Sequence, residues 1–221
     1  MRCLLCFEDM LHSATWTDFW RIEYEEILCP ACVEKLTPLT KPGCLRCSRT
    51  DANGICLDCE RWEADRKWEG VLEKNFSAFQ YTDGAKDIVA RWKYRGDYRL
   101  IDVFQKQLKK TYKPLKRLPL VPIPLSPERL RERGFNQAEA MIHALGVSPT
   151  SLFSRISSEK QAKKNRKERM SSENPFHLHE HITEPVVLVD DIYTTGTTVR
   201  HAAKLLKDSG CPKVYALTLF R

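Results

Sequence analysis

The chain has 221 residues, 42% of them hydrophobic, and a net charge of +7. That length accommodates one medium domain plus a small one, and the composition excludes a wholly disordered chain. No apolar run approaches the roughly 18 residues of a membrane span. The opening MRCLLCFEDM lacks the basic-then-apolar order of a secretory signal, so a cytoplasmic protein is expected.

Cysteine sets residues 1–66 apart. Eight of the nine cysteines form four CxxC pairs, Cys3/Cys6, Cys29/Cys32, Cys44/Cys47 and Cys56/Cys59, and Cys211 stands alone. In a reducing compartment such pairs are metal ligands or redox centres before they are disulfides. Two pairs can close a tetrahedron around Zn²⁺. The simplest grouping is sequential: Cys3, Cys6, Cys29 and Cys32 for one ion, and Cys44, Cys47, Cys56 and Cys59 for another. An interleaved arrangement, or a single occupied site, fits the spacing as well. A redox CxxC usually stands singly beside a βαβ pattern, which this loop-rich stretch lacks. A core of this size supplies at most about 3–5 kcal/mol, whereas a structural zinc site contributes about 10–16 kcal/mol. Metal is therefore expected to hold residues 1–66 together.

From residue 67 to 221, strand-like and helix-like segments alternate, the mark of an α/β domain with a parallel sheet. Asn75–Tyr81 reads as a strand, followed by a helix from Asp83 or Gly84 through Ile88, Val89 and Trp92 to Arg95 and Gly96. Leu100–Tyr112 repeats apolar positions at helical spacing. Leu120–Leu125 is apolar, but its prolines confine it to a strand end or edge. Asn136–Leu145 is the next expected helix, with Gly146 as its stop. Ser154–Glu173, charged and without apolar periodicity, is expected to be a mobile loop. Val186–Val189 has the uninterrupted apolar run of a buried parallel strand. A helix over Val199–Leu206, ended by Gly210, and a strand over Lys213–Phe220 complete the domain.

Charge is unevenly placed. Thirteen basic residues between Arg91 and Arg133 face four acidic ones, and a second basic stretch runs from Lys160 to Arg169. This suits a polyanionic partner, a phosphate-rich ligand or nucleic acid, and equally suits solvated helix surfaces.

The densest chemistry lies in VVLVDDIYTTGTT, Val186–Thr198. Ligands of open α/β sheets collect at the carboxyl ends of strands, where Asp190 and Asp191 would stand and could accept hydrogen bonds from a sugar cis-diol. Neighbouring strand residues point to opposite faces, so both carboxylates reach one ligand only if the chain turns there. Thr194, Thr195, Gly196, Thr197 and Thr198 then open a helix whose first-turn amides are unpaired and carry partial positive charge, an anion site. The plain alternative is a threonine N-cap beside a solvated acidic turn.

This stretch resembles the phosphoribosyl pyrophosphate signature of type I phosphoribosyltransferases. The resemblance implies that Asp190 and Asp191 bind the ribose hydroxyls at the catalytic centre. It implies that Thr194–Thr198 take the 5′-phosphate, and that Mg²⁺ accompanies phosphoribosyl pyrophosphate. Together with the CxxC pairs, Trp92-Lys93-Tyr94 and Arg133-Gly134-Phe135-Asn136-Gln137, nearly the whole chain resembles the ComF competence-protein family. Gln161, Arg169, Asn174 and Phe176 match that family's flexible-loop motif, and Lys163, Lys164 and Arg166 fall in the segment comparable to a transferase lid. The family fold would turn Arg129, Arg133 and the loop after Pro124 toward pyrophosphate, while Asn136 could instead cap a helix.

The resemblance implies a role in natural transformation: uptake of single-stranded DNA into the cytoplasm, alongside a helicase-like DNA-uptake protein and without a membrane span, at the inner face of the membrane. Trp92, Tyr94, Tyr98 and Tyr112 could stack on bases, although Trp92 falls on the apolar face of its helix. Two other functions remain open. One is an active phosphoribosyltransferase of nucleotide metabolism, for which no base-recognising residue is evident. The other is a non-catalytic adaptor that senses the ligand.

Overall fold

The computed structural model describes residues 1–10, 27–155 and 174–221. Two short helices belong to the cysteine-rich part, α1 (Pro30–Val33) and α2 (Leu57–Ala64), and each starts directly after a cysteine at its N-cap. Strand β1 (Lys74–Phe79) leads into α3 (Asp83–Tyr94), whose N-cap Thr82 accepts the Ala85 amide. A single 3₁₀ turn precedes α4 (Ile101–Tyr112), and the short strand β2 (Leu120–Pro122) follows.

Next comes α5 (Pro127–Arg133), a helix the apolar pattern did not predict. Its ends carry it: Ser126 caps the Arg129 amide, Pro127 occupies the first turn, and Gly134 closes it at φ 80°. Asn136 then caps α6 (Gln137–Ala144) by accepting the Ala138 amide at 2.9 Å. The expected loop from Ser154 is partly a strand. Phe153–Arg155 (β3) pairs antiparallel with Phe176–Leu178 (β4), because Phe153 and Phe176 can both bury against the domain there. The rest of the expected loop, with Lys160, Gln161, Lys163, Lys164, Arg166 and Arg169, lies outside the described residues. The chain ends with β5 (Val186–Ile192), α7 (Thr197–Asp208) and β6 (Val214–Phe220).

The main sheet has the order β1-β6-β5-β2, with every neighbour parallel. Thus β2 is an edge strand, as its prolines require. Helices cover both faces, which is why β5 reads as continuous Val and Leu. Val187 and Val189 face a core built with Trp92, Phe104, Leu108 and Met141 from α3, α4 and α6. Val186 and Leu188 face the other core, with Val199, Ala203 and Leu206 of α7 and with Cys44, Cys47, Cys56 and Cys59. Each large side chain so buried contributes roughly 1.5–3 kcal/mol.

The second cysteine group is also tied to the sheet by polar contacts. Asn75 donates to the Cys47 carbonyl at 3.2 Å, and Ser48 donates to the Asn75 carbonyl at 2.6 Å. Asn75, Ser77 and Thr218 form a fully buried hydrogen-bonded trio across β1 and β6. Burial makes each member depend on the others, since an unpaired hydroxyl or amide there costs about 1–3 kcal/mol.

Candidate functional site: a phosphate loop beside two cysteine centres

Both cysteine groups use one local design. The first CxxC of each ends in a tight turn, with Phe7 at φ 62° and Ser48 at φ 66° just after the second cysteine. The Phe7 and Ser48 amides return to the Cys3 and Cys44 carbonyls. The second CxxC of each begins a helix, with Cys29 and Cys56 at its N-cap. Backbone amides also point at sulfur: Leu5 and Cys29 donate to Cys3 Sγ, and Cys56 donates to Cys44 Sγ, each at 3.4 Å.

The structure brings the pairs together in sequence order. Cys3, Cys6, Cys29 and Cys32 form one group and Cys44, Cys47, Cys56 and Cys59 the other, with all four sulfurs of each within 4.8 Å of one another. Zn–S bonds of about 2.3 Å place tetrahedral sulfurs about 3.8 Å apart. The Cys6–Cys29 and Cys47–Cys56 separations are both 3.6 Å, so either group fits such an ion. Burial opposes ionisation of Cys3, yet amide hydrogen bonds from Cys29, Cys6 and Leu5 bring it down to about 6. Cys47, hydrogen-bonded by Cys59 and Arg221, is brought down to about 4, while Cys59 moves up. Four thiols this close cannot all ionise without a cation among them.

The second element of the site is the carboxyl end of β5. The sequence reading required a turn at the acids. Instead the strand continues to Ile192, which pairs with Phe220, and the alternation sends the carboxylates apart. Asp191 turns to Lys93 of α3, at 2.7 Å, with Arg133 of α5 at 3.9 Å. Asp190 lies on the side of Arg155 of β3 and folds back so that its Oδ1 accepts the Asp191 amide at 2.9 Å. Burial first, then repulsion from Asp191, pushes Asp190 up to about 7, although solvent still reaches part of the residue.

Around the acids stand cations that repel one another. Burial lowers the Arg155 pKa, and Arg129 and Arg133 lower it further. Arg133 is buried, donates to Gln137 Oε1 at 2.9 Å and lies over the Tyr94 ring at 5.7 Å. Its Nε, like Gln137 Nε2, has no hydrogen-bond partner among the described residues. Mutually repelling, partly unpaired donors of this kind are matched by an anion.

After Ile192 the chain turns through Tyr193–Gly196 into α7. Thr194, Thr195 and Thr197 are exposed and Thr198 is partly so. The Thr195 and Thr197 hydroxyls lie 2.8 Å apart at the helix start. Gly196 is the N-cap at φ 80°, and a Cβ there would come within 2.2 Å of the Tyr193 hydroxyl. The glycine is thus demanded by backbone and packing, besides any approach of a phosphate.

Sequence reasoning passed over several residues that complete the site. Lys93 stood in the basic stretch and in the Trp92-Lys93-Tyr94 motif without a role of its own, and α3 delivers it to Asp191. Arg155 lay at the edge of an expected loop. Trp62, Arg200 and Arg221, which reach the loop from the cysteine side, carry no local signal. Of the candidate stacking residues, Trp92 and Tyr112 are buried, while Tyr94 and Tyr98 are 61% and 45% exposed. Among the described residues no helix is long and apolar enough to cross a membrane.

Residues 130–221, from the end of α5 through β6, match the family model of the phosphoribosyl transferase domain. Sheet order, loop and match together define a phosphoribosyltransferase-like α/β protein with an N-terminal cysteine-rich part. The whole chain is similar to competence protein ComFC of Bacillus subtilis strain 168, 36% identical over 226 residues that cover 99% of this chain and 94% of that protein. It is 34% identical over 224 residues to competence protein ComFC of Streptococcus pneumoniae R6, covering 100% of each. The chain belongs to the ComFC competence-protein family. Among solved structures, a hypoxanthine phosphoribosyltransferase from Staphylococcus aureus is 17% identical, covering 57% of this chain and 64% of that one, at a TM-score of 0.31. That overlap is too loose to carry an argument.

Proposed function

We propose that this protein binds phosphoribosyl pyrophosphate, or a related ribose 5-phosphate, and serves the uptake of single-stranded DNA in natural transformation. The observation that carries the ligand reading is the cationic set Lys93, Arg133 and Arg155 around Asp190 and Asp191, one turn away from a threonine-lined helix start. In this reading the α7 amides and the Thr194–Thr198 hydroxyls donate to the 5′-phosphate. Asp190 accepts from the ribose hydroxyls, Asp191 on the other side of the strand end holds Lys93 and Arg133 in place, and Arg133 with Arg155 meets the pyrophosphate. Mg²⁺, carried in with the ligand, would offset phosphate charge beside the two acids. The two cysteine groups would hold zinc.

The DNA reading rests on membership in the competence family and on the exposed cations of α4 and its flanks, among them Arg99, Lys106, Lys109, Lys110, Lys113 and Lys116. Tyr94, with Arg133 over one face, and Tyr98, edge-on to Phe135, are exposed nearby, and base stacking contributes about 1–3 kcal/mol per base. Partnership with a helicase-like uptake protein at the inner membrane face belongs to the same reading.

The test is calorimetric titration of Mg²⁺–phosphoribosyl pyrophosphate into wild type and Asp190→Asn/Asp191→Asn, with and without single-stranded DNA. Binding by wild type and its loss in the variant are expected. Equal heats for both proteins would refute the site. DNA affinity should fall steeply with salt, and a flat salt dependence would refute the electrostatic surface. A second reading, turnover of the ligand, is favoured by Asp190, whose pKa near 7 suits proton transfer at neutral pH. It requires pyrophosphate release with an added nucleobase, and no release across bases would reject it.

A further inference from the structure

The loop before α7 is held from one side by Trp62 of α2 and by two arginines that reach the second cysteine group. Trp62 of α2 donates its indole N–H to the Thr195 carbonyl at 2.9 Å. In a planar trans peptide the carbonyl and the following N–H point opposite ways. Pinning that carbonyl therefore aims the Gly196 amide away from the cysteine side. Arg200, in the first turn of α7, is wholly buried, 3.4 Å from Glu63 Oε1 and 4.0 Å from Cys59 Sγ, with its guanidinium over the Trp62 ring. Arg221 donates to Cys47 Sγ at 3.2 Å and to the Tyr193 carbonyl at 3.3 Å, and covers the Tyr193 ring. Tyr193 in turn packs on Gly196.

Arg200 is buried and Arg221 partly so, and guanidiniums drawn out of water need negative charge beside them. Glu63 serves Arg200 but also faces Arg46, and Arg221 has no carboxylate partner among the described residues. What remains is sulfur. Four thiolates around a divalent cation carry a net charge of about −2, whereas neutral thiols carry none. The first cysteine group differs. Its turn is held through the Leu4 and Leu5 carbonyls by Arg91, and among the described residues no arginine reaches its sulfurs.

We propose that a metal–thiolate centre at Cys44, Cys47, Cys56 and Cys59 is the counter-ion that sets the phosphate loop. Metal held there fixes Arg200, Arg221 and Trp62, and through them residues 193–198. Occupancy of this centre and anion binding at the loop therefore reinforce each other, while the Cys3 group stands outside that coupling. Trp62 and the two arginines are positioning residues. The proposal rests on reading the loop as a phosphate site.

Coupling is reciprocal, so it can be read from the metal side. Full-length protein loaded with Zn²⁺ is mixed with a chelating dye, with and without saturating ribose 5-phosphate. Two release phases are expected, one of them slowed about fivefold or more by the ligand and the other unchanged. Cys3→Ser/Cys6→Ser should keep the ligand-sensitive phase. Trp62→Phe keeps the ring but loses the N–H. It should retain the wild-type zinc content yet bind ribose 5-phosphate about fivefold or more weakly, and Arg221→Gln should act alike. Ribose 5-phosphate binding by wild type with both phases unchanged overturns the coupling alone, as does unaltered affinity in Trp62→Phe. No binding by wild type overturns the phosphate-loop reading, and the coupling with it.

Discussion

Alanine at Gly196 is the sharpest probe of how tightly the loop is built, because the chain contains its own control. Gly196 and Gly134 share a φ of 80°. An L-residue pays about 1–2 kcal/mol for that region at either position. A Cβ at Gly134 meets nothing within 4 Å, whereas at Gly196 it would lie 2.2 Å from the Tyr193 Oη, 2.5 Å from Cζ and 2.9 Å from Cε1. Tyr193 cannot easily give way, since it is 3% exposed and sits under Arg221. Overpacking of this kind adds about 1–3 kcal/mol. Gly134→Ala should thus cost about 1–2 kcal/mol and Gly196→Ala about 2–5 kcal/mol. Denaturant unfolding in zinc-containing buffer measures both. In a Tyr193→Ala background the excess at Gly196 should vanish, a coupling of about 1–3 kcal/mol. Equal losses at the two glycines, or an excess that survives without Tyr193, would refute the reasoning.

Lys93→Met leaves the largely buried Asp191 carboxylate with Arg133 alone, 3.9 Å away, and should cost somewhat less than the about 3–5 kcal/mol of a fully stranded charge, most of it recovered in Lys93→Met/Asp191→Asn; a double variant no better than the single would reject the pairing. Asp190, raised from 3.8 to about 7 by burial and by Asp191, holds its proton more tightly folded than unfolded. Its contribution therefore makes stability fall as pH rises from about 4 to about 7 and level off above. Asp190→Asn should flatten that slope, and denaturation midpoints that keep their pH dependence would count against the assignment. Chelation is expected to unfold residues 1–66, read as collapse of their amide dispersion by NMR. A spectrum unchanged in metal-free protein would sink the structural role of metal.

How much of this was legible in the sequence depends on how local each signal was. The β5–loop–α7 unit was readable because an apolar run, two acids and a glycine-broken threonine cluster lie within a few turns of chain. The cysteine spacing marked the four pairs and made sequential grouping the simplest, and the fold brings them together in that order, not interleaved. Helix α5 escaped a periodicity reading because Leu130 is exposed and nothing repeats. Its caps, Ser126 and Gly134, were the usable signal. The parting of Asp190 and Asp191 was missed because the strand outlasts its apolar residues, carried on by pairing of Ile192 with Phe220. Lys93 and Arg200 were opaque for a different reason. Each is a charged residue on an amphipathic helix, and the partner that draws it inward, Asp191 or Cys59, lies about a hundred residues or more away.

The outer border of β1 is not open: Leu39 donates to the Ala78 carbonyl, Gln80 to Thr37 and Asn75 to Arg46, and Pro38 bridges Phe79. These partners all come from the cysteine-rich part. On the opposite border, Pro122 offers no N–H and Thr150 occupies the Leu120 carbonyl. A row of free backbone groups is an invitation to another chain. Losing the cysteine-rich part would therefore do more than loosen one end of the molecule. It would bare a sticky seam of the central sheet, and the expected mark is self-association and clumping while the helices packed on that sheet persist.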